Sequence, residues 1–101
     1  MSDSQSAKLR QEIEGVSAEM ARLTKNLDQL QGRYDAAFQH YSDSGDDRDA
    51  EAHYWDMMCE FAKSQGRVSE EYAKQQEELE GLLAKLGKIM TKQAKKQKKE
   101  A

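Results

Sequence analysis

The chain has 101 residues, 37% apolar and 35% charged, with no proline, one cysteine and a net charge of −3. That length allows one domain at most, the apolar content suits a narrow seam better than a broad globular core, and no stretch reaches the roughly 20 apolar residues of a spanning helix. The single Cys59 excludes an intrachain disulfide, and the opening Met1-Ser2-Asp3-Ser4-Gln5-Ser6 has neither the basic start nor the apolar run of a signal peptide, so a reducing, cytoplasmic setting is expected.

The first predicted element is a helix over about 4–42. Its seam alternates four and three residues without a break: Leu9, Ile13, Val16, Met20, Leu23, Leu27, Leu30, Tyr34, Ala37 and Tyr41. A 3.5-residue repeat held this long marks a helix that supercoils around another. A turn is expected at 43–48, where Asp43-Ser44-Gly45-Asp46-Asp47 gathers turn formers; Gly45 can take the left-handed conformation, and Asp46, Asp47 or Asp49 can cap the next helix. The second helix, over about 49–93, resumes the seam as Tyr54, Met58, Phe61, Gln65, Val68, Tyr72, Gln75, Leu79, Leu82, Leu86 and Ile89. Residues 94–101 form a basic tail in which like charges at helical spacing are expected to fray the helix.

A short turn between two heptad helices makes them antiparallel neighbours, so the fold class is all-α, a two-helix coiled-coil hairpin. Two registers fit. If facing residues sum to about 95, Leu9 meets Leu86, Val16 meets Leu79 and small Ala37 meets Met58; if they sum to about 88, residues 82–89 lose their cover. The first is favoured, because it leaves only polar residues overhanging. Gln65 and Gln75 occupy places meant for apolar knobs, where buried amides cost stability but fix register or oligomeric state. Phe38, Trp55, Met57, Leu83 and Met90 fall off the seam, and one hairpin cannot cover them all. A homodimer with a four-helix arrangement is therefore expected.

Chemical constellations are weak. Asp49 and Asp56 flank His53 at helical spacing, but the Glu-x-x-His pattern of bundle metal sites is absent, so no metal site is assigned. The acidic turn does not match a calcium loop: counted from Asp43, the glycine position holds Arg48 and the bidentate glutamate position holds Tyr54. Cys59 lies among Asp56 and Glu60, which disfavour a reactive thiolate, and there is no phosphate-cradling glycine loop. The expectation is a protein that is not an enzyme, with no cofactor and no small-molecule substrate.

Charge is distributed unevenly. Residues 88–101 carry six lysines against Glu100, while acid is densest at Asp43, Asp46, Asp47, Asp49, Glu51 and Asp56. The leading functional reading is a coiled-coil adaptor or scaffold that takes a protein partner at an aromatic, acidic hairpin tip formed by Phe38, Tyr41, Tyr54, Trp55, Met57 and Met58. A rival reading gives the tail, Lys92, Lys95, Lys96, Lys98 and Lys99, a nucleic acid or ribosome as partner, although no arginine or aromatic stands among these lysines to read or stack on bases. In outline the hairpin is similar to the coiled-coil stalk proteins of type III export ATPases, which implies a third reading as a secretion-system chaperone or stalk-like coiled coil. The turn, Ser44-Gly45-Asp46, lacks the Trp-x-Gly motif of small secreted hairpin proteins.

Overall fold

The computed structural model describes the backbone from Ser2 to Glu100 and the side chains of residues 4–96. Helix α1 spans Ser2–Asp43 and helix α2 spans Arg48–Glu100; they pack against each other as a helical hairpin, with no strand among the described residues.

The turn is built from the residues that the sequence gathers there. Ser44 closes the last turn of α1 twice, its N–H donating to the Tyr41 carbonyl at 3.3 Å and its Oγ to the His40 carbonyl at 2.8 Å. Gly45 then takes a φ of +58°, the left-handed conformation that a side chain disfavours. Asp47 is the cap of α2: its Oδ1 accepts from the Ala50 N–H at 3.1 Å, and its carbonyl accepts the first helical bond, from the Glu51 N–H, at 3.0 Å. Asp49 and Glu51 add negative charge to the first turn of α2, where the helix dipole favours it.

At its far end α2 runs to Glu100, beyond the fraying expected from residue 94. Ala, Lys and Gln are among the strongest helix formers, and lysine near a helix C-terminus is favoured by the dipole. Like-charge pairs on an exposed face cost only about 0.2–0.5 kcal/mol each, too little to melt these turns.

The chain divides into two compact units. The unit Arg22–Tyr72 holds the turn and buries Leu23, Ala37 and Met58, with Leu27, Leu30, Tyr34, Tyr41, Tyr54, Phe61, Gln65, Val68 and Tyr72 half-buried. Its register is visible in three contacts: Gln31 with Gln65, His40 with Tyr54, and Tyr41 with Trp55. All three pairs sum to 94–96, the favoured alignment. The unit of Met1–Ala21 and Ala73–Ala101 buries Val16 and Leu82. There Leu9 lines one groove with Lys85 and Ile89, in the same register.

Every seam position on both helices is buried or half-buried, and Leu23, at 1% exposure, is the most deeply buried of the core residues Val16, Leu23, Ala37, Met58 and Leu82. Two helices wall the seam from two sides and leave its flanks open.

Candidate partner-binding tip

The aromatic residues near the turn are ordered by α2. A continuous helix places His53, Tyr54 and Trp55 in succession, about 100° apart around its axis, so each meets α1 differently. Tyr54, on the seam, is half-buried between two imidazoles: His40 stacks on it with ring centroids 5.0 Å apart and planes at 20°, and His53 meets it edge-on at 5.2 Å and 65°. Trp55 turns off the seam. Its ring lies 5.7 Å from that of Tyr41, tilted by 46°, and the residue stays 51% exposed.

Beside Trp55 a shallow depression is lined by Tyr41, Arg48, Glu51, Ala52 and Asp56. Arg48 and Glu51 were not among the expected contact residues; their places two turns and one turn before Trp55 on a single helix are the signal that would have shown them. Phe38 is 50% exposed, Tyr41 and Met57 are half-buried, and Met58 is buried at 6%. Met58 therefore holds the two helices together, in the place opposite Ala37, and its side chain is withdrawn from any partner. Asp46, Asp47, Asp49 and Asp56 are exposed around this group, with Asp47 committed to its capping bond.

A polar ladder lies further along the same unit. Gln65 donates to Gln31 Oε1 at 3.0 Å, and Gln31 in turn donates to Asp35 Oδ1 at 2.9 Å. Reading the seam alone misses Gln31, because it stands one place off it.

In the other unit Lys85, Lys88, Lys92, Lys95 and Lys96 are exposed on α2, and none of them is ion-paired with a described residue. Lys98 and Lys99 carry side chains outside the described residues. A groove there brings Lys8 toward Lys85 and Lys88, with Glu12 at its edge. Among the described residues no three His, Cys, Asp or Glu side chains converge on a place for a metal ion, and no helix is long and apolar enough to cross a membrane.

Comparison with family models, curated proteins and solved structures returns no match.

Proposed function

We propose that the chain is a non-enzymatic coiled-coil adaptor or scaffold, acting in the cytoplasm as a homodimer, that takes a protein partner at its aromatic, acidic tip. The observation that carries this reading is Trp55: a large aromatic side chain, half exposed, propped against Tyr41 on a continuous helix. Burying its remaining surface gives a partner apolar contact at little cost in side-chain freedom, and rigid aromatic anchors of this kind dominate interface energetics. The rim of Asp46, Asp49, Glu51 and Asp56 selects for a partner with basic residues around an apolar patch and speeds its approach.

Affinity capture from the native cell tests the reading. Trp55→Ala should abolish capture and leave far-UV helicity nearly unchanged, since the side chain lies off the seam; removal of residues 92–101 should do much less. The reverse pattern refutes it.

One observation favours a second reading. Because α2 stays helical to Glu100, Lys85, Lys88, Lys92, Lys95 and Lys96 stand along one continuous helix with no described carboxylate paired to them. A phosphate backbone would fit such a helix. Its binding would fall steeply with salt, whereas capture by an apolar tip would not.

A further inference from the structure

Helix α2 carries a second stripe beside its seam. Ala52, Trp55, Cys59, Ala62, Gly66 and Ser69 follow one another at spacings of three and four, all are exposed, and none is charged. In a chain that is 35% charged, about two charges would be expected among six exposed positions. The rest of the solvent face of α2 in this unit does carry charge, at Asp49, Asp56, Glu60, Lys63, Arg67 and Glu70. An apolar seam with a further uncharged stripe alongside it is the pattern of a bundle helix that meets two neighbours, where a coiled-coil helix meets one. In the hairpin α1 supplies one neighbour only.

We infer that the second neighbour is α2 of another copy of this chain, packed antiparallel about a twofold axis at Cys59. The inference rests on the reading of Trp55 as a contact residue and names a second copy as what covers it until another protein partner displaces that copy, the two contacts being mutually exclusive. The stripe complements itself in that arrangement. With facing residues summing to about 118, Trp55 lies over Ala62 of the second copy, Ala52 over Gly66, and Cys59 meets Cys59; each unlike contact occurs twice, as a twofold axis requires. The bulky indole thus falls on the small side chain of Ala62, and Gly66, which has open space where a Cβ would stand, faces Ala52. Small residues along the contact let the helix axes come to the short end of the usual 8–10 Å separation.

Charge on the flanks agrees with this direction. Asp56 falls opposite Lys63 of the second copy, twice over, at the cost only of an exposed intrahelical pair, Lys63 with Glu60 at 3.6 Å. Arg48 falls opposite Glu70 and offsets the approach of Asp49 to the same carboxylate. A parallel arrangement would set Trp55 on Trp55 and Asp56 on Asp56, bulk on bulk and like charge on like. The antiparallel one also places the two acidic turns about 40 Å apart, several screening lengths at physiological salt.

The contact covers about five helical turns, so association in the micromolar range is expected. Sedimentation equilibrium up to about 100 µM should give twice the 11.5 kDa chain mass. Diamide, which takes the hydrogens of two thiols and leaves their sulfurs bonded, should link the dimer through Cys59, the single cysteine. Gly66→Lys is the decisive variant. It replaces a poor helix former by a good one on an exposed face, so the hairpin keeps its helicity, while the new side chain occupies the space taken by Ala52 of the second copy. It should sediment as a monomer and slow the diamide link at least tenfold. A wild-type chain that stays at 11.5 kDa overturns the pairing and leaves the capture assay on Trp55→Ala to judge the adaptor reading separately. A dimer that forms no Cys59 link and survives Gly66→Lys overturns the surface proposed for it.

Discussion

Leu23→Ala tests where the hairpin keeps its stability. Leu23 is 1% exposed, and the substitution removes the equivalent of about three methylene groups from the seam, worth about 2.4 kcal/mol by transfer alone. The space left behind adds to this, less than in a globular core because flanks open to solvent can close in, so about 3 kcal/mol is expected in total. That is a large share of the 5–15 kcal/mol that holds a typical domain folded. Urea unfolding followed by helical ellipticity measures it: with a slope of about 1.5 kcal/mol per molar, the midpoint should fall by about 2 M with the slope unchanged. Met90→Ala is the control. At 50% exposure it should lower stability by no more than about 0.5 kcal/mol, partly offset by the helix propensity of alanine. Equal losses at the two positions would refute the argument that the seam, and Leu23 within it, carries the fold.

Other substitutions separate the remaining devices. Asp47→Ala should cost about 1 kcal/mol in thermal or urea unfolding and Asp47→Ser only a few tenths, because serine restores an acceptor for the Ala50 N–H; equal losses would deny the cap. Gly45→Ala should cost about 1–2 kcal/mol through its φ of +58°, although nothing crowds the position; a neutral result in the same unfolding assay would mean that the turn has another conformation. Cysteines at positions 13 and 82 in a Cys59→Ser background should oxidise to an intrachain bridge while cysteines at 13 and 75 should not, and the opposite result would move the register by one heptad. Gln65→Leu should stabilise the hairpin by about 1 kcal/mol in urea, since Gln31 is exposed and can turn its freed acceptor to water; a loss instead would show that the amide pair contributes net stability.

Direction was legible in the sequence and depth was not. A 3.5-residue repeat states which side of each helix turns inward, and every residue from Leu9 to Tyr41 and from Tyr54 to Ile89 that the repeat selects is at least half-buried. The turn was legible for a similar reason, since Gly45 and Asp47 are residues whose own chemistry suits the places they occupy. Burial depth depends on how many walls surround a seam, which no single helix records: Tyr54 and Met58 are consecutive seam residues, yet one is half-buried and the other buried. Gln31 escaped notice because its role depends on the amide it meets across the hairpin, and Arg48 and Glu51 because a shallow surface is defined by neighbours more than by residue type.

The same distinction governs function. Catalytic and metal sites can often be found from side chains that have few other uses at a given spacing. An interaction surface is written in shape and in the absence of charge, which must be weighed against the whole chain. Trp55 gains meaning from Ala52, Cys59, Ala62 and Gly66 beside it, all uncharged and exposed on a helix otherwise rich in charge. A lone exposed tryptophan would be an accident of composition. On a stripe that complements its own reverse, with only two walls around the seam below it, that exposed surface is what the proposed pairing of two copies would cover.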